Sequence, residues 1–338
     1  MHKAVLMLLS IATSFVAQAQ LPSDCIRVSE TDSAIYVVNC NGKFGIYDDL
    51  TESYLIKPKF ELIDSKNYFT EGYIRVRNKG KWGVYDIFGS EKIKIIYDSI
   101  GNFFEYPDAM LLVKADGKFG LLTEWGSELF KPKYDSIGMF GIYADDKALV
   151  KLNGLYGLIS LEGYEFLPPQ YDYIEAEGKY LEMCYRVRKN GFWGLVPIEG
   201  YNARPLTLSA KPIKASDLVN QGYGVYPEYD EIGPWGEIHQ SFAVIRKNGK
   251  LGLIDNIPKV LVPCEFDKIE PFGKLDENCT VIYKDGKLGL LDLEGHVTLK
   301  PEYDSITKVD EFVFEVKKSG TATYVDPWGY EVDYIKKN

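Results

Sequence analysis

The chain has 338 residues and a formal charge of −10, from 39 basic and 49 acidic residues. That acidity excludes recognition of a phosphate backbone, which needs clustered Lys and Arg, and it suits anionic lipid surfaces equally poorly. Hydrophobic content of 46% and charged content of 26% are those of a soluble globular chain, while 25 Tyr and 17 Phe favour strands over helices.

In chain order the first element is a leader. Met1-His2-Lys3 is followed by the apolar stretch from Ala4 to Val16 and by Ala17-Gln18-Ala19. A short basic start, a brief apolar stretch and an Ala-x-Ala site make a secretory signal peptide, residues 1–19, cleaved after Ala19. The apolar stretch is too short to span a bilayer. Cys25 follows Leu21-Pro22-Ser23-Asp24 rather than a small-residue box, which argues against a lipoprotein. The remainder, residues 20–338, is therefore expected outside the cytosol, in a periplasm, on a cell surface or secreted, with no transmembrane segment. Export permits disulfides. Of the five Cys, Cys25 and Cys40 lie in the first repeat and are the candidate pair; five semi-buried thiols are the alternative.

From there one phrase recurs. It reads Gly42-Lys43-Phe44-Gly45, Gly80-Lys81-Trp82-Gly83, Gly117-Lys118-Phe119-Gly120, Gly154-Leu155-Tyr156-Gly157, Gly191-Phe192-Trp193-Gly194, Gly249-Lys250-Leu251-Gly252 and Gly286-Lys287-Leu288-Gly289. A worn eighth copy begins at Gly320, with Thr323 in place of the second Gly. The first Gly recurs at intervals of 38, 37, 37, 37, 58, 37 and 34 residues, the signature of an array of like supersecondary units.

Within each unit, Asn or Asp precedes the first Gly in six of eight copies, which predicts a type I′ hairpin turn. Four residues before that Gly stands Val or Ile in every copy, with a basic residue usually between it and the turn. This is strand alternation with one face buried. The returning strand carries two adjacent apolar residues after the second Gly, so both faces are covered there. A Gly inside a strand marks a bulge or a close approach, and the expectation is that the ring before it in one unit lies against a neighbouring unit's Gly. A second turn follows, with Gly at 89, 126, 163, 200, 295 and 329, then a strand ending near a Pro and a Tyr-Asp-x-Ile phrase such as Tyr134-Asp135-Ser136-Ile137. Each unit thus holds three clear strands and a short fourth. The 58-residue interval places a 21-residue insertion at about 201–226.

The fold expected is all-β: about eight antiparallel units of about 37 residues in an open, solenoid-like array. An eight-bladed β-propeller is the alternative, for which 37 residues is slightly short of the usual ~40–45 per blade.

Gly80-Lys81-Trp82-Gly83-Val84-Tyr85-Asp86 followed by Gly89 resembles the WG-repeat family of bacterial β-rich proteins, over essentially all of residues 20–338. Only Trp82 and Trp193 keep the eponymous Trp. The resemblance implies architecture and an interaction role, with no established chemistry.

No catalytic constellation emerges. After the leader the His residues are His239 and His296, neither within metal-ligand spacing of a Cys or another His. There is no Gly-x-Ser-x-Gly elbow, and the Gly-x-x-Gly phrases lack the helix and Lys-Ser/Thr pair of a phosphate loop. Asp48, Asp86, Asp255, Asp292 and Asp326 share one repeat position; one carboxylate per unit cannot cage calcium, and turn capping explains them. The Tyr-Asp pairs read as a packed ring beside a turn-forming carboxylate. Rings off the repeat pattern, Tyr106, Tyr143, Tyr180, Tyr201, Tyr223 and Trp235, are the candidates for stacking on a ligand. No cofactor, metal or nucleic acid is expected. The function read from the sequence is an exported non-catalytic scaffold for a protein or peptide partner. A carbohydrate-binding surface module and an enzyme with a site near 201–226 are the alternatives.

Overall fold

The computed structural model describes residues 21–32, 34–64, 73–102, 105–175, 184–197 and 224–335. Eight antiparallel sheets of three or four strands fill it, none closed into a barrel. The described residues up to Pro132 form one compact unit and those from Lys133 a second. The division falls inside the last strand of the third sheet.

The first sheet is Cys25–Asp32, Ile35–Cys40, Lys43–Asp48 and Ser53–Phe60. The second is Leu62–Asp64, Tyr73–Asn78, Lys81–Asp86 and Glu91–Tyr97. The third is Ser99–Ile100, Leu111–Ala115, Lys118–Leu122 and Glu128–Tyr134. In the second unit the fourth sheet is Ser136–Ala144, Lys147–Leu152, Leu155–Ser160 and Glu165–Tyr171. The fifth is Tyr173–Ile174, Cys184–Lys189, Phe192–Pro197 and Val225–Tyr229. The sixth is Glu231–Trp235, Phe242–Lys247, Lys250–Asp255 and Val260–Phe266. The seventh is Lys268–Ile269, Cys279–Lys284, Lys287–Asp292 and Val297–Tyr303, and the eighth has three strands, Ser305–Asp310, Val313–Lys318 and Thr321–Val325.

Four strands fit into 37 residues because the first strand can be as short as two residues and follows the previous sheet's last strand after a single residue. That residue is the acid of the Tyr-Asp phrase. Each central hairpin closes on two residues with positive φ, from Asn41 (53°) and Gly42 (80°) to Ser319 (51°) and Gly320 (83°). All eight turns therefore have the type I′ form, including Lys79-Gly80 and Ser319-Gly320, where the first residue is neither Asn nor Asp.

Sheets stack face to face within each unit, about 10 Å apart as such layers are. Val37, Ile46, Ile56 and Phe60 of the first sheet share a buried cluster with Ile63, Ile74, Val76 and Tyr85 of the second. The same interleaving joins the second sheet to the third and, in the other unit, the fourth through the eighth in turn. The rings of the Tyr-Asp phrases are buried as expected, Phe60, Tyr97, Tyr134, Tyr171, Tyr229 and Phe266 among them. Cys25 and Cys40 are cross-strand partners in the first sheet and are joined by a disulfide.

The strand glycines are explained differently from the sequence reading. A Cβ on Gly45 would lie 2.5 Å from the carbonyl oxygen of Ile56 and 2.8 Å from the nitrogen of Pro58. The intruder is the backbone of the same sheet's fourth strand, not a ring from a neighbour. The register shows why: Phe44 faces Phe60 and Ile46 faces Ile56, so Lys57-Pro58-Lys59 oppose Gly45 alone. This three-residue bulge folds over the glycine. The same register break sits opposite Gly83, Gly194, Gly252 and Gly289. Pro suits the bulge because its missing N–H removes no ladder bond there.

Candidate functional site

Two sets of recurring residues face solvent: the acids between sheets and the tips of the second turns. The Tyr-Asp acids do not make their own turns. Each accepts backbone N–H groups from the next unit's type I′ turn, 18 or 19 residues on, or 15 for Asp304 and Ser319. Glu61 takes the N–H of Lys79 (2.9 Å) and Gly80 (3.1 Å), Asp172 that of Gly191 (3.1 Å), Asp230 that of Asn248 (2.7 Å) and Asp267 that of Asp285 (2.7 Å). The second oxygen of several acids accepts the Lys of the preceding turn. Lys81 Nζ donates to Asp98 at 2.5 Å, Lys250 Nζ to Asp267 at 2.5 Å, and Lys287 pairs with Asp304. One carboxylate thus clasps two successive hairpin tips.

The Lys partner, followed by the turn N–H groups, holds Asp98, Asp267 and Asp304 below the usual carboxylate range. A depressed folded value means the clasp stabilises above the unfolded value near 4 and is lost as pH falls through the lower folded value. Asp267→Asn is therefore expected to flatten the acid limb of stability below about pH 4. Melting temperatures of the two proteins across that range check it; superimposable acid limbs would refute the clasp.

The second turns are capped as the sequence suggests. Asp86 Oδ1 accepts the N–H of Phe88 (3.0 Å) and Ser90 (2.8 Å). Asp255 does the same for Ile257 and Lys259, and Asp326 for Trp328 and Tyr330. Thr123 Oγ1 accepts the N–H of Ser127 at 3.2 Å. Where the turn carries a glycine it rests on the preceding sheet in several units: a Cβ on Gly89 would lie 3.0 Å from the carbonyl oxygen of Leu55, and one on Gly126 2.5 Å from that of Lys92. With the cap fixed, the residue two positions after it, at the tip of the turn, has nowhere to go but outward. In the first unit these residues are Leu50, Phe88 and Trp125, exposed by 81%, 74% and 68%. Ile257 and Trp328 are the exposed apolar tips of the second unit.

This row was not among the sequence candidates, which favoured rings off the repeat pattern. Of those, Tyr106 is buried, and Tyr143 and Trp235 are half-buried against the core. Tyr180, Tyr201 and Tyr223 lie outside the described residues, as does residue range 198–223 of the insertion. The insertion joins the third and fourth strands of the fifth sheet, where other units have the second turn. Val225 and Tyr226 already belong to that sheet's fourth strand, and Val225 is buried opposite Leu195.

His239 packs on Phe242 and Phe272, and its Nδ1 accepts the N–H of Ser241 at 3.3 Å. Asp292, Glu294 and His296 bring ligand-type atoms within 4.8 Å of one another. Asp292 Oδ1, however, accepts the N–H of Glu294 and His296, so the grouping is the same turn cap found at Asp86. The buried thiols of Cys184 and Cys279 are both pushed up to about 12 by desolvation, which makes them poor nucleophiles.

The WG containing repeat is matched at residues 44–82, 82–119, 125–156, 224–250 and 252–287, half of the chain. The chain belongs to the WG-repeat family. A comparison with curated proteins found no match. Solved structures align over much of this WG-repeat chain at low likeness. A eukaryotic initiation factor is 8% identical over 92% of this chain and 87% of its own, with a TM-score of 0.27. BamB from Moraxella catarrhalis is 10% identical over 89% and 97%, with a TM-score of 0.23. Apo AztD from Citrobacter koseri is 13% identical over 86% and 91%, with a TM-score of 0.21. At such scores none bears on the function of the WG-repeat chain. Among the described residues no helix is long and apolar enough to cross a membrane.

Proposed function

We propose that the chain is an exported, non-catalytic repeat scaffold that holds a protein or peptide partner on its apolar turn tips. The observation that carries this reading is the row Leu50, Phe88 and Trp125, one from each of three consecutive sheets. Scattered exposed apolar residues are ordinary, but a row repeated at one turn position is the kind of surface that partners cover. The recurring acids support the non-catalytic part, since each has a structural occupation in a turn or clasp. The leader at residues 1–19 supports export.

Affinity capture from the native exported fraction tests it, with the unaltered chain and the Phe88→Ser, Trp125→Ser double variant as baits. The expected result is a specific partner retained by the first and lost by the second, with equal melting temperatures, since both side chains lie in solvent. Retention by both baits would overturn the reading. Bare indoles at Trp125 and Trp328 favour sugar stacking as the second reading. Binding to a polysaccharide on a glycan array, lost in the same variant, would replace a protein partner with a carbohydrate.

A further inference from the structure

The fourth and fifth sheets depart from the pattern of their neighbours at matched positions. The residue after the first Gly is Lys43, Lys81, Lys118, Lys250 and Lys287 in five other units and Thr321 in the worn eighth, but Leu155 and Phe192 here. The first residue of the bulge is Lys57, Lys94, Lys131 and Lys300 in the first, second, third and seventh sheets, but Pro168 and Tyr226 here and Pro263 in the sixth. Four lysine positions in two adjacent sheets have become apolar, and Leu155, Phe192 and Tyr226 all stay exposed. Tyr173, also exposed, sets its ring edge-on to Trp193 at 6.1 Å.

The loss reaches the clasps. Asp98, Asp267 and Asp304 each hold a lysine from the preceding turn. Asp172 and Asp230 stand in the same place relative to Leu155 and Phe192. Each accepts one turn N–H through Oδ2, and neither pairs with a cation among the described residues. Two carboxylates in successive layers, about 10 Å apart by sheet stacking, thus sit beside exposed apolar side chains in an acidic chain.

We infer that this face of the fourth and fifth sheets docks an extended basic segment. Its lysines or arginines replace the missing lysines on Asp172 and Asp230, and its apolar residues cover Leu155, Phe192 and Tyr226. The layer spacing fits a polyproline II conformation, whose three-residue turn advances about 9 Å and so brings every third side chain to one face. The partner therefore carries Lys or Arg at every third position with apolar residues between. This rests on the interaction reading above and names a second surface with its own partner chemistry.

The test uses the purified chain and a fluorescent nine-residue probe, Lys-Pro-Leu repeated three times. Two control peptides share its length: one has Glu for every Lys, and one has the same residues in blocks, Lys, then Pro, then Leu. The expected result is binding of the first probe alone, weakening with salt. The variant Leu155→Lys, Phe192→Lys restores the pattern of the other units. It is expected to bind the probe at least about tenfold more weakly while melting no lower than the unaltered chain. No binding of the first probe, equal binding by the variant, or equal binding of the blocked peptide each overturns the inference. So does a dimer of the unaltered chain that the variant makes monomeric in sedimentation, which would assign the face to a second copy. If the Phe88→Ser, Trp125→Ser bait loses a native partner while the lysine variant behaves as the unaltered chain, the scaffold reading stands and this one falls.

Discussion

Replacing Gly45 by Ala is expected to destabilise the first unit by about 3 kcal/mol and lower its melting temperature by roughly 10 °C. The added carbon would meet the Ile56 carbonyl at 2.5 Å and the Pro58 nitrogen and Cα at 2.8 and 3.0 Å. All three atoms are backbone, so no side chain can swing aside. Relief requires the Lys57-Pro58-Lys59 bulge to lift from the third strand and to carry buried Ile56 and Phe60 with it. Gly42→Ala is the control. Nothing lies within 4 Å of its added carbon, and the only penalty is the positive φ of 80°, about 1 kcal/mol. Chemical denaturation of the two variants separates the accounts: equal losses would mean that backbone conformation, not the bulge, makes the strand glycine necessary.

The second large effect is expected at Arg75. Its guanidinium pairs with Asp64 in its own sheet and donates to the carbonyl oxygens of Ile100 (2.9 Å) and Gly101 (3.2 Å) in the next. The side chains of Arg75 and Asp64 are only 14% and 19% exposed. Arg75→Ala would remove the guanidinium that faces a poorly hydrated carboxylate and donates to two carbonyls, a loss of about 3–5 kcal/mol. Arg75→Ala combined with Asp64→Ala should recover part of it, because the carboxylate that faced the guanidinium goes too. A double-mutant cycle by denaturant titration measures the coupling; a coupling near zero would reduce the pair to two independent surface groups. Arg186 repeats the arrangement three units later, donating to the Ile232 carbonyl at 3.1 Å and pairing with Glu175 at 3.6 Å.

How much of this the sequence revealed depends on the range of the interaction. Asn-Gly and Asp-Gly announced the central hairpins because a type I′ turn is decided by two residues, and Asp86 or Asp326 announced capped turns for the same local reason. The bulge over Gly45 stayed hidden because it is a register effect, three residues against one, and alternation in either strand alone does not record it. The acid at Asp267 looked turn-forming because Asp usually serves its own neighbourhood. Its actual partner, the Asp285 N–H, lies half a repeat on. The tips Leu50, Phe88 and Trp125 were passed over because the repeat invites every periodic ring to be read as core. The available signal was that an apolar residue two positions after a turn-capping Asp or Thr has no interior to enter.

The clasp also sets how the chain comes together in time. Its closures span 15 to 19 residues, and the turn contacts between layers span about 34. Every ordering step is thus short-range along the polymer, and each completed layer offers a template for the next. Such a low contact order favours rapid growth outward from whichever neighbouring pair forms first. The additional residues between Pro197 and Gly224 lengthen one closure inside a layer, whose entropic cost rises only with the logarithm of loop length. They leave untouched the seams at Asp172 and Asp230 on either side, so the growing front can cross that layer with its seams in the same order as elsewhere.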